Sequence, residues 1–243
     1  MATATEWIWA TLDLMYPRCC GACGAPIAEG PGFLCWPCRE SLRPIGEPCC
    51  SRCGNPIEGR ADHEFVCAHC DEMKPYFDLA RSAVRFEGAA VGAVYTFKYR
   101  GGIWLQEELI QWLEACWTVW FCDGPRPDFV CPVPLHPARE RARGFNQATL
   151  LSAGLARRIG CPHLPGALVR VRPTETQTHL TAKQRLSNVQ EAFKAPSPAR
   201  IRGQRALLVD DVMTTGATVS ACARALKAAG CISVSVLTLA RGQ

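Results

Sequence analysis

Asp210 and Asp211 stand side by side after the aliphatic run Ala206 to Val209, and the loop Met213-Thr214-Thr215-Gly216-Ala217-Thr218 follows almost at once. Paired carboxylates at the end of a strand suit a sugar diol or a metal ion. A short loop of small and hydroxyl residues running into a helix suits an anion, because unpaired backbone N–H groups and the positive end of the helix dipole converge there. Thr214, Thr215 and Thr218 add hydroxyl donors, and Gly216 lets the backbone come close to a ligand. The series predicts a phosphate site with a diol or cation site beside it. A single acid after a strand often does no more than cap a turn; two acids and a Thr-Thr-Gly-x-Thr loop in series argue against that reading. The magnesium-binding strand of an NTPase would look similar, but it needs a Gly-x-x-x-x-Gly-Lys-Ser/Thr loop, which this chain lacks.

The second chemistry is in cysteine. Sixteen occur in 243 residues, and eight of them form four Cys-x-x-Cys pairs before residue 71. Cys20-Gly-Ala-Cys23-Gly-Ala-Pro-Ile27 with Cys35-Trp-Pro-Cys38 recurs as Cys50-Ser-Arg-Cys53-Gly-Asn-Pro-Ile57 with Cys67-Ala-His-Cys70. The two-residue spacing lets both sulfurs of a pair face one tetrahedral zinc. Each copy holds four ligands, which assigns one structural zinc to Cys20, Cys23, Cys35 and Cys38 and another to Cys50, Cys53, Cys67 and Cys70. Ligation interleaved across the copies is the alternative. A lone Cys-x-x-Cys is compatible with a redox pair; four in a duplicated frame read as metal sites. Cys19 and Cys49 each adjoin a pair without fitting its geometry, and His63 and His69 are expected on the ribbon surface, with metal ligation as the alternative. Thiolates kept for metal imply a reducing compartment, hence the cytoplasm.

Two further stretches carry candidate ligands. Arg139, Arg141 and Arg143 follow the short apolar strand Phe129 to Val133, where forked guanidinium donors would match a diphosphate; a solvated basic face is the alternative. Thr174 to Asn188 is almost free of apolar residues and reads as a long exposed loop, either a lid or a plain connection. Gln177, Lys183, Arg185 and Asn188 are its candidates for ligand contacts. No residue stands out as a general base, and the catalytic residue is unassigned, with Arg141, Lys183 and Arg185 as candidates.

The elements that must position these groups are α/β in pattern. Ala206 to Val209 reads as a strand buried on both faces and closed by the two acids, and a helix follows to about Ala229. Ala83 to Phe86 and Ala89 to Phe97 have strand or buried-helix character. A helix from about Ile103 to Phe121 places Leu105, Leu109, Trp112, Leu113 and Cys116 on one face, and another runs from the arginine cluster to Ile159. Lys98 and Arg100 beside aromatics suggest nucleic-acid stacking, with a packed helix hairpin as the alternative. Lys74, Pro75 and Tyr76 look like a linker between a unit of residues 1–75, a short N-terminal helix and double zinc ribbon, and a unit of residues 76–243. Trp7, Ile8, Leu12 and Met15 set that N-terminal helix, without the basic start of a signal peptide. Net charge is +5, consistent with phosphate ligands and too small to announce nucleic acid. No apolar run reaches the roughly 18 residues of a membrane span.

Leu207 to Thr218 resembles the phosphoribosyl-pyrophosphate (PRPP) signature of type I phosphoribosyltransferases. With the double cysteine repeat, Phe97-Lys-Tyr-Arg-Gly101, Pro132-Val-Pro-Leu135, Arg143-Gly-Phe-Asn-Gln147, Thr176-Gln177 and Arg185, nearly the whole chain resembles the ComF family of competence-associated phosphoribosyltransferase-like proteins, including its GntX-type members. The resemblance implies a double zinc ribbon followed by a Rossmann-like domain with a mainly parallel sheet. It implies that magnesium-bound PRPP is the ligand, with Asp210 and Asp211 on the ribose hydroxyls and Met213, Thr214, Thr215, Gly216, Ala217 and Thr218 around the 5′-phosphate. Val133, Pro134 and Leu135 then match the diphosphate loop, joined by Arg139 and Arg141, and about Arg170 to Arg185 matches the catalytic flexible loop. Transfer of phosphoribosyl to a nitrogen acceptor is the expected reaction. The alternative is a non-catalytic module that senses PRPP or handles single-stranded DNA with DNA-uptake proteins.

Overall fold

Runs of Val, Leu, Ile and Ala long enough to be buried on both faces build the centre of the protein. In the computed structural model, residues 18–27, 32–59, 63–172 and 192–242 are described. Four strands, β1 (Leu79–Arg85), β2 (Phe129–Pro132), β5 (Arg205–Met213) and β6 (Ser233–Arg241), form one sheet in the order β1-β6-β5-β2, every neighbouring pair parallel. The short pair β3 (Val169–Arg170) and β4 (Phe193–Lys194) is antiparallel. The expected N-terminal helix and the expected loop Thr174 to Asn188, with Gln177, Lys183 and Arg185, lie outside the described residues.

Helices α3 (Gly88–Tyr99), α4 (Gln106–Trp120) and α6 (Gln147–Ile159) cover one face, burying Phe97, Leu109, Leu113, Leu151 and Leu155 against Val130, Leu207, Val209 and Leu237. Helix α7 (Ala217–Ala228) covers the other, with Val219, Cys222 and Leu226 against Phe129, Leu208, Val234 and Val236. Each βα unit thus delivers its loop to one edge of the sheet, the edge where parallel α/β sheets bind ligands.

Several expectations shift by a few residues. The acids do not close their strand: β5 runs on through Met213, because β6 continues beside it as far as the pair Met213 and Arg241. The helix expected from the arginine cluster to Ile159 is two helices. The first, α5 (Pro137–Arg143), stops at Gly144 in the left-handed region, and α6 restarts with the Asn146 side chain accepting from the Ala148 N–H. Ala83 to Phe86 lies mainly in β1 and Ala89 to Phe97 is helical.

The cysteine repeat is a structural repeat. The Cys20 and Cys50 N–H groups donate to the Ala25 and Asn55 carbonyls, and Gly24 and Gly54 close equivalent turns on the carbonyls of Cys20 and Cys50. Each copy ends in a short helix that carries its last ligand, α1 (Trp36–Glu40) and α2 (Ala68–Met73). Between the copies, Arg43 to Ile45 pairs with β1 through Ile45 N–H to the Ala83 carbonyl and Arg85 N–H to the Arg43 carbonyl. That contact covers the open edge of the sheet, a common site of unwanted strand pairing.

The two ribbons dock in different places. The first sits on α3 and α4: Phe33 N–H donates to Glu108 at 2.8 Å, and Arg39 pairs with the same carboxylate at 2.8 Å. The second sits on β1, α7 and the end of β6. Lys74, Pro75 and Tyr76 are therefore a packed connection, since Arg52 donates to the Pro75 carbonyl and Tyr76 N–H donates to Ser220 Oγ. Among the described residues no helix is long and apolar enough to cross a membrane.

Candidate phosphate and metal sites

Alternation along a strand sends neighbouring side chains to opposite faces, and the two acids obey it. Asp211 points toward α3 and α6, is 5% exposed, and is held by Lys98 Nζ at 2.8 Å and Gln147 Nε2 at 2.8 Å. The other amide atom of Gln147, Oε1, is buried with no partner among the described residues. Asp210 points toward α7 and accepts the Asp211 N–H at 2.9 Å. Burial first, and the Asp211 charge second, push the Asp210 carboxyl up to about 8, against opposing pulls from that N–H, Lys98 and Arg170. The pair therefore divides its work: Asp211 is a fixed, neutralised anchor, and Asp210 is the carboxylate still able to take a new partner.

The loop behind the acids turns at Gly216, which has φ 78° and caps α7. Its alpha carbon lies close to Met213 and Phe77, where a β-carbon would stand 3.7 Å from both side chains. Thr214, Thr215 and Thr218 are exposed, with Thr215 Oγ1 reached by the Ala217 N–H, and the first turn of α7 leaves its remaining N–H groups facing outward. Phosphate is the natural ligand of that geometry.

Cations gather at the same edge. Val133 N–H bonds to the Val209 carbonyl and Asn146 Nδ2 bonds to the Val133 carbonyl, which seats the Val133-Pro134-Leu135 loop beside β5. Arg139 and Arg143, one helical turn apart on α5, line a recess with Lys98, Tyr99, Gly101, Ala142 and Phe145. Arg141 is two residues from each, stands on the far side of α5, and is exposed. Arg170 lies near enough to feel Arg139 and Asp210: burial first and Arg139 second lower its guanidinium pKa. Sequence reading missed Lys98, Gln147 and Arg170 as contributors to the acid pair. The stretches Phe97-Lys-Tyr-Arg-Gly101 and Arg143-Gly-Phe-Asn-Gln147 contained two of them without indicating what they touch.

Each cysteine quartet is gathered within its own copy, the four sulfurs lying within 4.8 Å of one another. Cys23 and Cys35 sulfurs are 3.8 Å apart, and Cys53 and Cys67 sulfurs 3.7 Å. A tetrahedron with zinc–sulfur bonds of about 2.3 Å has edges of about 3.8 Å, so both quartets fit zinc. With four sulfurs each and no open position, they are structural sites, and the interleaved arrangement is excluded. His63 and His69 are both exposed as expected, yet His69 is engaged: its Nε2 donates to the Thr215 carbonyl at 2.8 Å.

Comparison with known proteins matches a double zinc ribbon domain over residues 11–72 and a phosphoribosyl transferase domain over residues 146–243. The chain is similar to Competence protein F of Haemophilus influenzae, 31% identical over 91% of this chain and 96% of that protein. It is similar to the DNA utilization protein YhgH of Escherichia coli K12, 30% identical over 94% of this chain and 99% of that protein. Competence protein ComFC of Bacillus subtilis is 31% identical over 86% of this chain and 84% of its own length.

Proposed function

Because this chain belongs to the ComF family of competence proteins, with their double zinc ribbon and phosphoribosyltransferase domain, we propose that it binds magnesium-bound PRPP and transfers its phosphoribosyl group to a nitrogen acceptor. The observation that carries the reading is the convergence on one sheet edge of three complementary parts. These are the Thr214–Thr218 loop for a phosphate, Asp210 for a ribose hydroxyl, and the recess lined by Lys98, Arg139 and Arg143 for a diphosphate. Asp211 serves indirectly, tying Lys98 and Gln147 to the strand that carries Asp210. Of the arginines, Arg139 and Arg143 line that recess, which supports giving them rather than Arg141 the leaving pyrophosphate. Magnesium, when bound with PRPP, supplies charge neutralisation to the diphosphate.

In the reaction the acceptor nitrogen bonds to the anomeric carbon as the carbon–oxygen bond to pyrophosphate breaks. The protein contributes positioning of the ribose and electrostatic stabilisation of the departing charge. Calorimetric titration of zinc-loaded protein with PRPP and magnesium tests the binding. Above pH 8, Asp210→Asn with Asp211→Asn should weaken it by about one to several orders of magnitude, since a hydrogen bond to a charged acceptor contributes roughly 1.5–3 kcal/mol and loss of the Asp211 charge also frees Lys98 beside the site. Absence of magnesium-dependent affinity up to millimolar concentration would refute the reading. PRPP consumption against nucleobases and small amines then tests turnover.

One observation favours a binding role as well. Tyr95 and Tyr99 are exposed and 5.1 Å apart between ring centres, Arg100 lies over Tyr95, and Arg143 lies over Tyr99. Rings flanked by guanidinium groups suit stacked single-stranded bases, in keeping with relatives named for competence and DNA utilization. Fluorescence anisotropy with a single-stranded oligonucleotide should show salt-sensitive binding that Tyr95→Ala with Tyr99→Ala weakens. Equal binding by the double variant rules this surface out.

A further inference from the structure

The two cysteine quartets are near copies in sequence, which makes their differences informative. The fourth ligand of each copy follows a two-residue spacer, Trp36-Pro37 in the first and Ala68-His69 in the second. Proline at that place offers no side-chain donor. Histidine does, and its Nε2 spans 146 positions of sequence to the Thr215 carbonyl at 2.8 Å. A carbonyl oxygen has no hydrogen to give, so the imidazole N–H is the donor. Because the peptide group is planar and trans, the Thr215 carbonyl and the Gly216 N–H point in opposite directions. Holding the carbonyl against the ribbon therefore aims the Gly216 N–H away from the ribbon, into the phosphate loop.

A second link reaches the other end of that loop. Arg241, 7% exposed, donates to the Cys53 carbonyl at 3.3 Å and to the Cys53 sulfur at 3.5 Å. The next residue, Gly242, donates its N–H to the Met213 carbonyl at 2.9 Å. Cys53 is thus a metal ligand with an arginine partner that leads directly to the start of the loop, and groups of this kind orient ligands and tune metal retention. Tyr76 adds a third contact through Ser220 on the first turn of α7. In the first ribbon the residue equivalent to Cys53 is Cys23, which is exposed, and that ribbon faces α3 and α4 instead.

We infer that the second four-cysteine centre is a positioning device for the phosphate loop, with His69 as its positioning residue, and that metal retention at this centre is thermodynamically linked to occupancy of the loop. The first centre lacks that link. The inference rests on the PRPP reading for the identity of the ligand. Linkage is reciprocal: if the metal-bound ribbon favours the loop conformation that takes phosphate, PRPP must in turn slow loss of metal from the second centre.

The test uses full-length zinc-loaded protein, wild type, His69→Ala and His69→Gln, the glutamine placing an amide N–H near the position of Nε2. Amide exchange of Thr215 to Thr218 without ligand should be faster in His69→Ala and restored in His69→Gln, with two zinc ions retained in all three. PRPP affinity should fall about three- to tenfold in His69→Ala, the size of one hydrogen bond, and recover in His69→Gln. Transfer of zinc to a chelating dye should occur in two phases in wild type, with PRPP and magnesium slowing one, and that protection should vanish in His69→Ala. If wild type binds PRPP but exchange, affinity and zinc release all ignore His69, the positioning claim is wrong and the proposed function stands. If wild type binds no PRPP while loop exchange still follows His69, the ligand assignment is wrong and the positioning stands.

Discussion

At the scale of single residues, the two adjacent acids behave differently because a strand sends them to opposite faces. Asp210 has its carboxyl pushed up to about 8, while an unfolded aspartate titrates near 4. Ionised, it accepts a ribose hydroxyl more strongly than the neutral acid does through its one remaining acceptor oxygen. PRPP affinity should therefore rise with pH up to about 8, by at most tenfold per pH unit below that point from this group alone. Binding should release a proton, and titrations in buffers of different ionisation enthalpy read that release. PRPP's own titration is common to wild type and Asp210→Asn, so the difference between their profiles isolates Asp210; identical profiles would contradict the assignment. The same shift bears on folding. The folded state holds this proton more tightly than the unfolded chain, so the contribution of Asp210 to stability is complete below about pH 4 and is lost as pH rises toward 8. Asp210→Asn should then raise the unfolding midpoint at pH 8 relative to wild type and leave it unchanged at acid pH. Asp211 makes the opposite case, a buried charge that depends on its cation. Lys98→Met leaves it only the Gln147 amide and should cost about 2–3 kcal/mol in urea denaturation, below the roughly 3–5 kcal/mol of a fully buried pair because Lys98 is partly exposed and Gln147 still donates.

At the scale of elements, what matters is how closely the first ribbon seats on α3. Glycine inside a helix normally costs roughly 0.5–1 kcal/mol relative to alanine, so Gly92→Ala at mid-helix would ordinarily stabilise. Here a β-carbon at Gly92 would stand 2.2 Å from the Ala22 carbonyl oxygen, a backbone atom with no rotamer to yield. Steric exclusion outweighs propensity, and the sign reverses. Gly92→Ala should lower the unfolding midpoint and speed zinc loss from Cys20, Cys23, Cys35 and Cys38, leaving the second quartet as it was. Midpoint and dye-capture kinetics measured together would expose the error if the variant proved more stable. Similar local reasoning explains why α5 and α6 are separate helices: Gly144 takes a left-handed conformation and Asn146 caps the next start.

At the scale of the whole molecule, the two metal centres hold different parts together. A ribbon of this size has too little apolar core to fold unaided, and structural zinc in finger peptides provides about 10–16 kcal/mol of apparent binding energy. Metal analysis should find two zinc ions per chain. Cys23→Ser should leave one, with PRPP affinity near that of wild type, because the first ribbon faces α3 and α4. Cys53→Ser should also leave one zinc but lose PRPP affinity, since that ribbon abuts the loop at Thr215 and Met213. Equal affinities in the two variants would show that the ribbons are interchangeable supports.

Local chemistry was readable in the chain wherever ligands lie close in sequence. The Cys-x-x-Cys pairs, the aliphatic run of β5, the two acids and the Thr-Thr-Gly-x-Thr turn all act through neighbours a few positions away, and periodicity exposed the helices that cover the sheet. Pairings across long stretches of chain were not readable. Lys98 and Gln147 meet at Asp211 only because α3 and α6 pack on the same sheet face, and nothing in either segment specifies that distance. The exclusion of Arg141 from the recess depended on which face of α5 meets Lys98 and Tyr99, since Arg139 and Arg143 share that face four residues apart and Arg141 lies opposite. The extension of β5 through Met213 required β6 as its neighbour. His69 illustrates the division well: its spacing marked it as a spacer between zinc ligands, and only the docking of the second ribbon on α7 gave its imidazole a carbonyl to hold. Covalent spacing determines what a segment can bind, and packing determines which segments meet.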